Sequence, residues 1–271
     1  MTRTGQTAAY NLYHASFPSA YKSKSPTNNT VHCEYYRVPG DQSRPVVIVL
    51  DIMDGSMIIP RIMANSFATA GVDACIMIMP YYGPRRADNK QEQPLKKDME
   101  FMVVSFRQAV MDVRRTARWL GGLDWINPDK IGITGTSMGG FITALSAGVD
   151  GRFPRAAVLL AGGDLATVFT TQAKEVGRIR QEIETKNIQL EKLTKMLESI
   201  EPLTFADRLH NTKLLMINGS TDKIVPAECA KKLAQAAHTE IKWFSTGHYG
   251  MVDYIFPAVQ LTVQHFSVEK W

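Results

Sequence analysis

Lys130-Ile-Gly-Ile-Thr134 runs directly into Gly135-Thr136-Ser137-Met138-Gly139-Gly140 and then into Phe141-Ile-Thr-Ala-Leu145, and the rest of the chain can be read outward from this stretch. A short β-branched run, a Gly-x-Ser-x-Gly turn and an apolar segment in direct succession predict a strand, a sharp elbow and a helix. On such an elbow the serine holds a strained backbone, and the glycines two positions before and after it relieve the crowding where helix meets strand. The hydroxyl then stands at the top of the turn. The N–H of Met138, in the first turn of the helix, faces the space above that hydroxyl, where it can bind a developing oxyanion. Ser137 is therefore the candidate nucleophile.

The same rhythm extends on both sides. Strands are predicted at Val46–Leu50, Asp73–Met79, Lys130–Thr134, Ala156–Leu160, Lys213–Asn218 and Glu240–Phe244. Between and after them, apolar residues spaced by three and four predict helices at Met57–Thr69, Asp98–Leu120, Met138–Ala147, Ala227–Ala237 and Tyr249–His265. Alternating βα units of this kind wind a mostly parallel, twisted sheet with helices on both faces, an α/β fold. The first 45 residues differ, with two weak strand patterns at Tyr10–Phe17 and His32–Val38 that suit an antiparallel edge hairpin. A long helical stripe interrupts the rhythm at Gln172–Ile200, through Val176, Ile179, Ile183, Leu190, Leu193, Leu197 and Ile200, with one gap of seven where Lys186 falls on the stripe. Pro202 ends it. Lying between two sheet strands, residues 170–205 suit a helical cap over the carboxyl ends of the strands, and their near-heptad spacing suits a homodimer contact as the competing role.

Composition narrows the class. The 271 residues are 45% apolar and 21% charged, an ordinary globular balance with room for one α/β domain over 1–271. No apolar run approaches the ~18 residues of a membrane span, and no secretory signal is visible at the start. Cys33, Cys75 and Cys229 are odd in number and lack metal-ligand spacing, which predicts reduced packing cysteines, a cytoplasmic location and no metal. The net charge of +5 is spread along the chain without a basic stripe interleaved with aromatics, so nucleic acid is not an expected partner. The Arg85-Arg86 and Lys96-Lys97 pairs read as solvated surface charge, with an anionic substrate as the alternative.

A serine hydroxyl needs a base within hydrogen-bond reach and an acid to orient that base. The strand at Leu214–Asn218 leads into Gly219-Ser-Thr-Asp222-Lys-Ile-Val-Pro226, and the strand at Ile241–Phe244 leads into Ser245-Thr-Gly-His248-Tyr-Gly250. Asp222 and His248 thus stand at the carboxyl ends of strands, in the order nucleophile, acid, base. His14, His32, His210, His238 and His265 lack a strand-end glycine context and read as surface or packing residues.

From Val46 onward the chain resembles an α/β-hydrolase. The stretch Glu201-Pro-Leu-Thr-Phe-Ala-Asp-Arg-Leu209, with the acid loop ending at Pro226, is similar to the corresponding region of the prolyl-oligopeptidase and dienelactone-hydrolase branch. The resemblance implies a catalytic triad of Ser137, Asp222 and His248 and cofactor-free hydrolysis through an acyl-enzyme, with Asp164, in Gly162-Gly-Asp-Leu165, as a second candidate acid because some members carry the acid there. It also implies a second oxyanion donor on the loop after the first parallel strand, where relatives carry His-Gly. Here that loop reads Leu50-Asp51-Ile52-Met53-Asp54-Gly55-Ser56, so the pair is replaced by Asp51-Ile52 and the donor falls by position on Met53. Asp51 and Asp54 would oppose an oxyanion unless turned away or neutralised, for which Arg85 and Arg86 are candidates. Asp54 and Ser56 equally suit capping of the next helix. Tyr81 and Tyr82, in the turn after the second parallel strand, are candidates for the substrate wall or for turn structure alone.

The expected activity is serine carboxylesterase-type hydrolysis of a small-molecule ester. A short-peptide peptidase, although the chain has no room for a β-propeller, and an acyltransferase would use the same residues. A non-catalytic binding protein on this fold is the reading from a different class, and the altered Asp51-Ile52 loop is the feature that favours it.

Overall fold

The computed structural model describes residues 1–87 and 93–271. Among these residues nine strands form one sheet: β1 (Thr2–Gln6), β2 (Asn11–Pro18), β3 (Thr30–Arg37), β4 (Arg44–Leu50), β5 (Asp73–Met77), β6 (Ile126–Thr136), β7 (Arg155–Leu159), β8 (Lys213–Gly219) and β9 (Ile241–Phe244). Their order across the sheet is β1-β2-β3-β5-β4-β6-β7-β8-β9. The first three pair antiparallel, β3 joins β5 antiparallel, and from β5 to β9 every pair is parallel. The helices are α1 (Ile58–Thr69), α2 (Met99–Leu120), α3 (Met138–Val149), α4 (Leu165–Thr170), α5 (Gly177–Thr185), α6 (Leu190–Leu197), α7 (Ala227–Ala236) and α8 (Ile255–His265). Among the described residues, no helix is long and apolar enough to cross a membrane.

Alternation along the strands builds two apolar layers. Val46, Ile48, Cys75, Ile133 and Val158 face the layer under α2, α3 and α7, while Val47, Val49, Ala74, Ile76 and Ala157 face the layer under α1 and α8. The connection from β4 passes through α1 and that from β6 through α3, so neighbouring strands send their chains to opposite faces. A crevice opens at the carboxyl ends of β4 and β6, where such a reversal leaves room for a ligand.

Three expectations need correcting. The amino-terminal segment contributes three strands rather than a hairpin of two; β1, Thr-Arg-Thr-Gly-Gln, is polar and mostly exposed, so no hydrophobic alternation marked it. The stripe at Gln172–Ile200 is not one helix. It breaks between α5 and α6 at Asn187, whose φ of 46° is left-handed, and Ile188 N–H closes the end of α5 on Ile183 O at 2.9 Å. The break follows Lys186, the residue that spoiled the apolar spacing, and most of the stripe is still buried on either side of it, Leu190 excepted at 67% exposed. Arg85 is not solvated. It is fully buried against Asp112 of α2, with Nη2 to Oδ2 at 2.6 Å, and it also donates to the carbonyls of Ile78 and Asn28. Asp112 takes further hydrogen bonds from Ser19 Oγ and Ala20 N–H, so this polar hub ties the amino-terminal segment to α2 and to the turn after β5. Cys33, Cys75 and Cys229 are free and buried.

Candidate active site

Ser137 sits between β6 and α3 at φ 54° and ψ −117°, a conformation that a side chain rarely adopts. The elbow is held by Ser137 N–H donating to Leu159 O of β7 at 2.8 Å and by Phe141 N–H returning to Ser137 O at 3.0 Å. The flanking glycines are needed for space. A Cβ on Gly135 would stand 2.4 Å from Gly139 O, and one on Gly139 would stand 2.6 Å from Asp51 O and 2.7 Å from Leu50 O. These obstacles are backbone, which cannot swing aside. The same close approach brings the loop after β4 against the elbow.

The loops after β8 and β9 are knitted to each other by Ser220 N–H to Phe244 O at 2.8 Å and Thr221 N–H to Thr246 O at 3.1 Å. They carry Asp222 and His248. Asp222 Oδ1 accepts from the N–H groups of Ile224 (2.8 Å) and Val225 (3.0 Å), which fixes its other oxygen toward the histidine. His248 Nδ1 lies 2.6 Å from Asp222 Oδ2, and His248 Nε2 lies 2.9 Å from Ser137 Oγ. A carboxylate can only accept, so Nδ1 carries the proton and Nε2 is free to accept from the serine hydroxyl. This chain of contacts can withdraw a proton from Oγ and return it. Asp164 is elsewhere, capping α4 through Thr167 N–H and paired with Lys232.

Around the altered loop, Asp51 Oδ1 accepts from Ile52 N–H at 2.8 Å, Asp51 Oδ2 from Met57 N–H at 3.0 Å, and Asp54 Oδ1 from Ser56 N–H at 2.8 Å. The two carboxylates are thus engaged by the loop's own amides. Arg85 is committed to Asp112 and is not their neutralising partner. Burial pushes the Asp51 carboxyl up to about 6, against the downward pull of its two amide bonds. Asp54 does not cap α1, whose first flanking position is Met57 at φ 64°.

An apolar cavity of about 630 Å³ opens over Ser137 and His248. Met53 and Met138 line it, together with Leu165, Val168 and Phe169 from α4, Val176 before α5, Met63 of α1, and Met251, Ile255 and Val259 near and along α8. Charged groups of both signs, Asp54, Lys96, Lys174, Glu175 and Arg178, also border it. Tyr81 and Tyr82 are not among the lining residues. Both are buried, the Tyr81 ring against Phe101 and the Tyr82 hydroxyl donating to Met138 Sδ at 3.8 Å, so Tyr82 supports the elbow from behind. The α8 wall was not anticipated as part of a site, since its apolar spacing reads as ordinary helix packing. Among the described residues, no group of three His, Cys, Asp or Glu side chains is placed to hold a metal ion.

Two family models match the sequence, each over more than half of it: the prolyl oligopeptidase family at residues 107–249 and Alpha/beta hydrolase domain containing 18 at residues 36–177. No curated protein matches. Among solved structures, acetyl xylan esterase 1 from Thermoanaerobacterium sp. is similar at 18% identity and a TM-score of 0.73, over 98% of this chain and 87% of that one. A cold-adapted esterase from an Arctic intertidal metagenomic library is similar at 14% identity and a TM-score of 0.65, over 98% and 99%. A puromycin-hydrolyzing peptidase of Mycobacterium tuberculosis is similar at 16% identity and a TM-score of 0.68, over 97% of this chain and 40% of that one. These likenesses establish the fold, and the two family matches go further: the chain belongs to the α/β-hydrolase superfamily, through the prolyl oligopeptidase and Alpha/beta hydrolase domain containing 18 families.

Proposed function

We propose that the protein is a serine hydrolase that cleaves carboxylic esters through an acyl-enzyme. The observation that carries this reading is the continuous relay from Ser137 Oγ through His248 to Asp222, at 2.9 and 2.6 Å. Ser137 attacks the ester carbonyl while His248 Nε2 takes its proton, and Asp222 holds the ring and stabilises the imidazolium. The N–H of Met138, with that of Met53 across the crevice, stabilises the oxyanion. His248 then protonates the leaving alkoxide. Water, deprotonated in its turn by His248, releases the acid and regenerates Ser137. Side chains and water handle every proton and electron pair in this sequence, so it calls for no cofactor.

Ester rather than peptide cleavage is favoured by the cavity walls. A peptide carries a donor and an acceptor at each residue, and burying them against Val168, Phe169, Met251 and Val259 would leave them unsatisfied. Residues 1–271 act in this reading as one hydrolase domain. The insertion over 170–205 and the α4 turn before it form its helical cap, since Val176 and the α4 side chains supply one wall of the cavity.

The test is labelling with a fluorophosphonate alongside hydrolysis of short and medium p-nitrophenyl esters, for the wild type and Ser137→Ala. Labelling and turnover of the wild type, both lost in the variant, are expected. A folded wild type that neither labels nor turns over ester would overturn the reading and bring the binding-protein alternative forward.

A further inference from the structure

Tyr249 follows the base directly and opens the helical turn Tyr249–Tyr254. It is 64% exposed, yet its polar end is engaged. The hydroxyl donates to Glu175 Oε1, in the turn Lys174–Val176 that leads into α5. The Lys174 ammonium stands 5.9 Å from the centre of the same ring, so two consecutive residues of the insertion meet one side chain of the base loop. The ring also meets the His248 imidazole edge to face, with centroids 5.9 Å apart and planes at 85°. Burial and the Glu175 carboxylate push the Tyr249 hydroxyl up to about 12, so at neutral pH it keeps its proton and remains a donor.

The residue after Glu175 is Val176, which is buried and lines the cavity over Ser137. The insertion has other anchors. Glu182 of α5 accepts from Met99 N–H, at the start of α2, at 2.8 Å, and Leu193 and Leu197 of α6 are buried. Those contacts hold α5 and α6, whereas the bond from Tyr249 holds the turn that carries the cavity wall. We infer that Tyr249 is a specificity-determining residue: by holding Glu175 it keeps Val176 in place as a preformed wall for the aliphatic part of the substrate. This rests on the reading of Ser137 as the nucleophile of an esterase and of residues 170–205 as its cap. A wall already in place need not be ordered by the substrate, whereas a loose one draws its ordering from the binding free energy. The loss therefore grows with the length of chain that the wall covers. It shows as a change in selectivity, not as a uniform fall in rate.

The test is the ratio of kcat/KM for p-nitrophenyl octanoate to that for p-nitrophenyl acetate, esters that differ in acyl length alone. A variant with less folded enzyme loses both rates equally and leaves this ratio where it was. Tyr249→Phe keeps the ring and removes the hydroxyl. It is expected to lower the ratio about three- to tenfold, the factor that one ordinary hydrogen bond supplies. Glu175→Ala should lower it by a similar factor, and the double variant by no more than either single change. Glu175→Gln, whose amide oxygen accepts from the same hydroxyl, should restore most of the wild-type ratio; with Tyr249→Phe it decides the matter if Glu175→Ala does not fold. A Tyr249→Phe ratio within about twofold of wild type, or losses that multiply in the double variant, would overturn the assignment and leave the nucleophile intact. A wild type that hydrolyses the acetate but not the octanoate would do the same. A wild type that neither labels with fluorophosphonate nor hydrolyses either ester would instead remove the reading on which the assignment rests.

Discussion

Asp222→Asn should all but abolish turnover while leaving the protein folded, because the structure decides which end of the new amide faces His248. Asp222 Oδ1 accepts two backbone N–H groups, from Ile224 and Val225, and Oδ2 accepts one ring N–H. An amide offers a single oxygen. Placed at the Oδ1 position it keeps both turn bonds. Flipped, it sets an NH₂ against two buried N–H donors and leaves each unsatisfied, at roughly 1–3 kcal/mol apiece. The first orientation wins, so the NH₂ faces His248 Nδ1. That nitrogen must then accept, and the ring proton moves to Nε2, 2.9 Å from Ser137 Oγ, where it blocks proton abstraction. In a serine protease with the same kind of triad, the equivalent exchange lowers kcat about 10⁴-fold through the wrong tautomer, equivalent to about 5 kcal/mol of transition-state stabilisation. The assay is kcat on p-nitrophenyl butyrate, with thermal unfolding of both proteins in parallel. An asparagine variant that keeps its unfolding midpoint and more than about a tenth of wild-type kcat would refute the assigned tautomer and, with it, the orienting role of Asp222.

The close approach at the elbow predicts that Gly139→Ala, whose Cβ would meet Asp51 O at 2.6 Å, costs about 1–3 kcal/mol in urea denaturation and lowers esterase activity; unchanged values for both would show that the loop can yield. Arg85→Met, which strands Asp112 with no cation beside it, should cost about 3–5 kcal/mol, and adding Asp112→Leu should cost less than the sum of the single changes; simple additivity would refute the buried pair. Asp51 predicts a pH effect of definite sign. Its carboxyl is pushed by burial up to about 6, against about 3.9 in the unfolded chain, so the native state holds the proton more tightly. Stability from this group is fully present below the unfolded value and is lost as pH rises through about 6, a decline of about 2 kcal/mol between about pH 4 and pH 7. The stability difference between wild type and Asp51→Asn should change by that amount over the same range, and a difference that stays constant with pH would sink the assignment.

How much was legible in the sequence depended on whether a residue's neighbours lay close by along the chain. The central parallel strands show as apolar runs because they are buried on both faces, and Ser137, Asp222 and His248 stand out because each follows a predicted strand with a glycine one to three positions before it. The structure brings these three side chains into one hydrogen-bonded series. Arg85 could not be read correctly: an Arg-Arg pair after Gly-Pro suggests surface, and only Asp112, 27 residues later, accounts for its burial. Tyr81 and Tyr82 likewise sit in a turn whose direction is set by Asn28, which accepts from Tyr81 N–H at 2.9 Å. In the insertion, the misplaced Lys186 did mark the end of a helix, yet apolar spacing carried the eye across it. The wall that α8 gives the cavity was invisible, because helix spacing tells which face of a helix is buried and not which side of the sheet receives it.

The residues of the relay are made in a fixed order. Ser137 precedes His248 by 111 positions, and Asp222 also comes late. At a synthesis rate of roughly 5–20 residues per second, Ser137 exists for roughly 5–20 s before His248 has been joined to the chain. Throughout that interval the Ser137 hydroxyl lacks the His248 imidazole, so under the proposed mechanism no acyl group is committed to an unfinished fold. Regain of activity after dilution from denaturant therefore requires β8 and β9 to be in place beside the elbow, and Trp243, within β9, adds to the fluorescence of Trp119, Trp125 and Trp271 a signal from that part of the sheet.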